Sequence, residues 1–207
     1  EIYMGLLQCR IGTPHSPKPE RYIVIRNTRD ITFPTDRVRT YYFQINEMVS
    51  GIQIPQKIAQ DSEKALGQYR EMTDAIEAVI FLKRTGKNVT DTGLQKAKDI
   101  GDWFITMQGD NADNIYTPDQ NTQIRQAQME LAAAMADLGR ETGEERYTLS
   151  AQKVAAHFSK RQIGPDFLFN AALANLHAHL AMASVNDSDR EEYLQKAVDR
   201  LKFGVLP

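Results

Sequence analysis

Apolar residues recur about every 3.6 positions from residue 61 onward, which is the spacing of one face of an amphipathic α-helix. Short polar stretches interrupt this pattern at intervals, so we predict helices joined by turns rather than one long helix. The predicted helices span residues 62–84, 92–107, 121–139, 146–161, 167–184 and 189–203.

Glycines and hydroxyl residues mark the predicted ends of these helices. A glycine just past the last turn commonly stops a helix, because it adopts the left-handed conformation without strain. The spacing Thr142-x-x-Glu145 fits a capping box, in which a hydroxyl and a carboxylate satisfy the first free amides of a helix. The spacing Ser188-x-x-Glu191 fits the same motif. The predicted stop glycines are Gly86, Gly139, Gly164 and Gly204.

The first sixty residues have a different composition. They contain five of the eight prolines, and eight Lys and Arg against five Asp and Glu. The runs 22–25 and 37–45 are rich in β-branched and aromatic residues and predict short strands, with a third strand at 2–7. We therefore expect a mainly α fold made of a Pro-rich, partly β N-terminal segment, residues 1–60, and a helical domain, residues 61–207.

The helical part contains an internal repeat. The tetrapeptide LQKA occurs at residues 94–97 and again at 194–197, and Tyr147 precedes Ala151 by the same distance as Tyr193 precedes Ala197. We interpret this as three stacked α-hairpins of about forty residues, each burying its apolar face on its neighbour. An irregular helical bundle with coincidental similarity is the alternative.

Residues 141–162 combine a Thr-Gly turn, a tyrosine four positions after the glycine, and an Ala-rich helix that ends near an aromatic residue. Residues 85–104 are similar, whereas the third unit has Asn186-Asp187 in place of Thr-Gly. This pattern resembles the hairpins of the (α/α) toroid enzymes, which include polysaccharide lyases, unsaturated-uronide hydrolases and sugar epimerases. The resemblance implies a helical ring that processes or binds carbohydrate. The matching positions are structural, so it transfers no catalytic residue.

The number of predicted helices departs from a complete toroid, which needs about twice as many. The chain is therefore interpreted as half a ring, a fragment or an open helical array. A tetratricopeptide-like array is a further alternative, although its usual repeat of about 34 residues is shorter.

Charge and composition exclude several classes of function. The net charge of −2 and the pI of about 6.1 give no basic field for nucleic acid. No apolar run reaches the length of about 18 residues that a membrane span needs. A lone cysteine, Cys9, excludes an intrachain disulfide and a multi-thiolate metal site. The sequence has no phosphate-binding glycine motif, so we expect no cofactor.

The two neighbouring histidines, His177 and His179, do not predict a metal site. Side chains two positions apart on a helix project about 200° apart, so one ion cannot bind both. We expect one histidine to be packed and the other exposed, and we expect no metal.

The polar connector at residues 108–121 (QGDNADNIYTPDQN) is the most unusual segment. Its acids and amides could bind sugar hydroxyls, and Tyr116 with nearby Trp103 could form a stacking surface. A solvated connector with Asx turns, and a core position for Trp103, are the alternatives. The shortlist for acid–base catalysis is Asp102, Asp110, Asp113, Tyr116 and His177. The predicted substrate-binding residues are Trp103, Asn111, Asn114 and Tyr116.

Two functional hypotheses follow, and the sequence does not decide whether the protein is an enzyme. The first is a carbohydrate-processing or carbohydrate-binding domain with an oligosaccharide partner, and the second is a non-enzymatic helical-repeat scaffold that binds a protein partner. Because the chain begins with Glu1, we expect a processed or partial chain and favour a secreted or periplasmic location.

Overall fold

The computed structural model describes residues 45–108, 122–160 and 166–205, and it describes side chains up to residue 202. The fold is mainly helical, and the described residues contain seven helices and no strand. The helices are α1 (residues 45–50), α2 (Ser62–Arg84), α3 (Asp91–Gln108), α4 (Thr122–Thr142), α5 (Glu145–Ser159), α6 (Phe167–Ala183) and α7 (Asp187–Val205).

The six helices expected from the periodicity are confirmed, but several of their predicted ends are wrong. Gly139 lies inside α4, and the stop glycine is Gly143, whose φ of 75° is left-handed. Thr142 is the last residue of α4 and donates to the Leu138 carbonyl, so it does not begin α5. The predicted stop at Gly86 is confirmed by its φ of 65°.

The start of α7 also differs from the prediction. Ser188 lies inside the helix, and its backbone N–H donates to the side chain of Asn186 at 2.9 Å. The capping side chain is therefore an asparagine, whose short amide oxygen satisfies a free amide as well as a serine does.

Helix α1 was not predicted by the sequence pattern. The run 37–45 was predicted to be a strand, and this is wrong at Ile45, which is helical; residues 37–44 and the runs 2–7 and 22–25 lie outside the described residues. The side-chain nitrogen of Asn46 donates to the Asn88 carbonyl at 3.1 Å. The side-chain oxygen of Asn46 accepts from the backbone N–H of Thr90 at 3.0 Å. These long-range contacts favour a helix that the local β-branched composition does not indicate.

Helices α4 and α6 form the centre of the fold. α4 packs against α2, α5 and α6, whereas α6 packs against α4, α5 and α7. The alanines of α4 allow its neighbours to approach closely, since small side chains bring helix axes together. The buried alanines of α4 are Ala127, Ala132, Ala133, Ala134 and Ala136.

Neighbouring helices are joined by polar pairs that are one hairpin apart in sequence. Asp137 of α4 contacts His179 of α6, and Arg140 of α4 donates to the Met182 carbonyl; both pairs are 42 residues apart. The constant offset means that α4 and α6 run parallel. A buried pair with the same offset of 42 joins α3 to α5, where Gln108 donates to the Ser150 carbonyl at 2.9 Å.

Helix α5 meets α3 at a glycine. A Cβ atom added to Gly101 would lie 2.6 Å from Cε1 of the Tyr147 ring. Tyr147 is fully buried, so its ring has little room to move away. The contact therefore requires glycine for its small size rather than for its backbone conformation.

Replacing Gly101 by alanine is expected to destabilise the protein by about 1–3 kcal/mol, because the new methyl group overlaps a ring in a close-packed core. Urea unfolding followed by circular dichroism measures the change in the free energy of unfolding. The control is Gly67→Ala in α2, where the added Cβ would meet nothing within 4 Å. Gly67→Ala should stabilise the exposed helix by up to about 1 kcal/mol. Equal effects of the two substitutions would contradict the Gly101–Tyr147 contact.

Candidate functional site

Of the predicted site residues, the structure describes Asp102, Trp103 and His177. The others belong to the connector between α3 and α4 and lie outside the described residues. The acid–base role suggested for Asp110, Asp113 and Tyr116 stays a prediction, and so does the sugar-binding role suggested for Asn111, Asn114 and Tyr116.

Asp102 belongs to a chain of alternating charges between α3 and α5. Its carboxylate lies 3.0 Å from Nη1 of Arg146, which in turn contacts Glu144 at 2.7 Å. Glu144 is also paired with Lys98 at 2.7 Å. Asp102 is therefore the partner of an arginine, and these contacts do not place it opposite a second carboxylate as a catalytic acid pair requires.

Tyr147 lies beneath this charge network. The Arg146 guanidinium carbon is 4.7 Å from the centre of the ring, and Arg146 Nη2 donates to the tyrosine hydroxyl at 2.8 Å. Burial raises the pKa of Tyr147, and the negative charges of Asp102 and Glu144 raise it further. The phenol therefore stays protonated and acts as a packed hydrogen-bonding group at neutral pH.

Trp103 lies partly buried on α3 and packs against the hydrophobic core. Its indole Nε1 is buried and makes no hydrogen bond with any of the described residues. The stacking role suggested for Trp103 stays a prediction.

Both histidines of α6 are buried, with exposed fractions of 2% for His177 and 7% for His179. The expectation that one would be exposed is wrong, because α6 has α4 on one side and α5 and α7 on the others. The two rings face different helices, as their spacing predicts. His177 Nε2 lies 3.3 Å from the Ser159 hydroxyl of α5, and His179 Nδ1 lies 2.9 Å from Asp137 of α4.

A buried charge network at the ends of α2, α4 and α6 was missed by the sequence analysis. Asp137 has no solvent exposure, and its carboxylate contacts Arg84 of α2 at 2.9 Å as well as His179. Arg84 also contacts Glu141 at 2.7 Å. A signal existed in the sequence, since Asp137 is the one charged residue within the apolar run 131–138.

His177 occupies a second polar cluster, between α5, α6 and α7. Its ring stacks on Tyr193 with centres 5.9 Å apart, and Arg200 of α7 donates to the Ser159 carbonyl at 3.1 Å. Arg200 thereby binds the C-terminal end of α5, where the helix dipole favours a positive charge. Burial, and then the positive charges of Lys196 and Arg200, lower the pKa of His177 to about 4.

Exposed apolar side chains are concentrated on α6, α7 and the turn between them, and we call this set of residues the terminal-hairpin surface. Nine large hydrophobic residues of the described chain are exposed, and seven of them lie on α6, α7 or the turn between them. The other two, Met48 and Leu149, lie apart on α1 and α5. The terminal-hairpin surface consists of Phe167, Leu168, Met182, Val185, Leu194, Val198 and Leu201.

No protein-family model, curated protein or solved structure matches this chain. Within the described residues, no cluster of three or more His, Cys, Asp or Glu side chains could hold a metal ion. None of the helices in that part of the chain has both the length and the apolar character needed to cross a bilayer.

Removing the Asp137 carboxylate is expected to destabilise the protein strongly. Asp137→Ala leaves Arg84 and the buried His179 without their shared acceptor, and the expected loss is about 3 kcal/mol in the free energy of unfolding. The control is Glu141→Ala, which removes the other carboxylate bound to Arg84. The Glu141 side chain is 22% exposed, so we expect a loss below about 1 kcal/mol. Chemical denaturation of both variants measures the two losses in the free energy of unfolding. Losses of similar size would contradict the special role of Asp137.

Acid is expected to destabilise the protein through His177. The folded-state pKa of about 4 lies below the ordinary value of 6.5, so the unfolded chain takes up this proton first as the pH falls. The contribution of His177 is complete above about pH 6.5 and is lost as the pH falls toward 4, to a limit of about 3 kcal/mol.

Denaturant titrations at a series of pH values measure this slope in the wild type and in His177→Gln. The variant should lose most of the slope between pH 6.5 and 4. The wild type, titrated in the same buffers, is the control. A slope that survives in His177→Gln would assign the acid sensitivity to other groups.

Proposed function

We propose that this protein is a helical-hairpin scaffold that binds a protein partner at the terminal-hairpin surface. The observation that carries the proposal is the concentration of exposed apolar side chains on α6, α7 and their turn. Exposed apolar patches of this kind mark interaction sites, because leaving them in water costs free energy that binding recovers.

The polar pairs support a stacked-hairpin arrangement. Partners that join α3 to α5, and α4 to α6, are both 42 residues apart, close to the repeat length inferred from the sequence. Tyr147 reaches back to the Lys98 carbonyl of α3, and Tyr193 bonds to Gln152 of α5, so each tyrosine contacts the second helix of the preceding hairpin. In such arrays each hairpin buries its apolar face on a neighbour, whereas the apolar residues of the terminal-hairpin surface are exposed to solvent.

Helix α7 has the geometry of a helix-binding surface. Leu194, Val198 and Leu201 have exposed fractions of 47%, 44% and 45%. Their spacing of i, i+4 and i+7 aligns them in one stripe along the helix. An apolar stripe with this spacing is what an amphipathic partner helix recognises, because its own side chains fit between those of the stripe. The expected partner segment is therefore an amphipathic helix.

The carbohydrate hypothesis stays a prediction. Among its described residues, Asp102 is paired with Arg146 and Trp103 is partly buried against the core. Isothermal titration with a panel of uronic-acid oligosaccharides tests it, and measurable binding would favour that hypothesis over the scaffold.

A displayed library of amphipathic helical peptides tests the scaffold proposal. Selected peptides should bind the wild-type chain, and Leu194→Ser and Val198→Ser should each weaken binding at least about tenfold, since central apolar contacts dominate such interfaces. Fluorescence anisotropy with labelled peptides, at nanomolar protein concentration, measures the affinity.

The matched control is Leu149→Ser. Leu149 has the same exposed fraction as Leu194, 47%, but lies on α5 outside the terminal-hairpin surface. Leu149→Ser should leave the affinity unchanged. The proposal fails when no peptide binds, or when Leu149→Ser weakens binding as much as Leu194→Ser does.

A further inference from the structure

We infer that the partner helix at the terminal-hairpin surface is α7 of a second copy of this chain, packed antiparallel across a two-fold axis near Val198. The inference rests on the proposed function, because it names the occupant of the same surface. Three features of α7 support it: its charge order, the symmetry of its apolar stripe, and the positions of Glu191 and Lys202.

The exposed charges of α7 change sign along the helix. The first turns, residues 187–192, contain four acids and one base, Arg190. Farther along, the exposed Lys196 and Lys202 outnumber the single acid Asp199. This order suits the helix dipole of α7 itself. It also makes the helix complementary to an antiparallel copy, in which each acidic half lies beside a basic half.

The apolar stripe is nearly symmetric about Val198. In an antiparallel pair centred near this residue, Leu194 of one copy faces Leu201 of the other, and the two Val198 side chains meet at the axis. A two-fold axis generates each contact twice, so a short stripe yields a self-complementary interface. A parallel copy would place the acidic halves together instead.

Glu191 and Lys202 occupy the same side of α7. They are eleven residues apart in the sequence, and at about 100° per residue their directions differ by about 20°. The antiparallel arrangement brings Glu191 of one copy to within one helical turn of Lys202 of the other. Both residues are exposed, and Lys202 lies 3.6 Å from Asp199, which is a long distance for an ion pair.

Charge-swap variants test this register. Glu191→Lys alone creates two Lys–Lys contacts in the dimer, and Lys202→Glu alone creates two Glu–Glu contacts. Each variant alone should dimerise at least about tenfold more weakly than the wild type at low salt. Sedimentation velocity over a micromolar concentration series measures the dimer, and circular dichroism checks that each variant is folded.

Two complementary samples should restore the dimer. An equimolar mixture of the Glu191→Lys and Lys202→Glu chains pairs Lys with Glu at both contacts, and so does the double variant carrying both changes. Restoration in both samples is expected only of an antiparallel pair. In a parallel pair Glu191 would face Glu191, so the mixture would gain a Lys–Glu contact that the double variant lacks.

The outcomes separate this inference from the proposed function. A wild-type chain that stays monomeric up to millimolar concentration overturns the second-copy inference. When that monomer still binds helical peptides in a Leu194-dependent way, the proposed function stands and the occupant is a different protein. A dimer that is insensitive to the Glu191 and Lys202 changes and to Leu194→Ser overturns the assigned surface.

Discussion

The buried carboxylate of Asp137 connects three helices at one end of the fold. It accepts from Arg84 of α2 and is bonded to His179 of α6, while its own helix, α4, lies between them. A charge with no solvent exposure is tolerated only when its partners are already in position, because desolvation removes the stabilisation that water supplies. The network therefore selects one relative placement of α2, α4 and α6, and a helix shifted by one turn would leave the charge without its partners.

The same constraint explains why the sequence predicted the helices but not the polar interior. Periodicity is a local property, so the helix spans could be inferred from residues 61 to 207 to within a few positions. The partners of Asp137 on other helices are 53 and 42 residues away, and no local pattern encodes such a separation. A charged residue within an alanine-rich run was the available sign that something buried must neutralise it.

Helix ends were predicted less well, for a reason that Gly139 and Gly143 illustrate. A stop glycine requires a left-handed backbone, whereas Gly139 is a helical residue kept small by the adjacent Thr148, whose hydroxyl would lie 2.4 Å from an added Cβ. Composition cannot separate these two uses of glycine. The candidate site was predictable only in part, since burial of both His177 and His179 depends on α6 being surrounded by other helices.

The unequal burial of the helices also affects how the fold opens. Most side chains of α6 are buried, whereas among the described residues of α7 only Ala197 and Arg200 are buried. We expect a helix with so few fully buried side chains to separate from the body in fluctuations that leave the centre intact. Amide hydrogen exchange in α7 should then proceed through local opening, whereas exchange in α4 should require global unfolding. Covering the outer stripe of α7 would slow that local exchange, so association and ordering of this helix are thermodynamically linked.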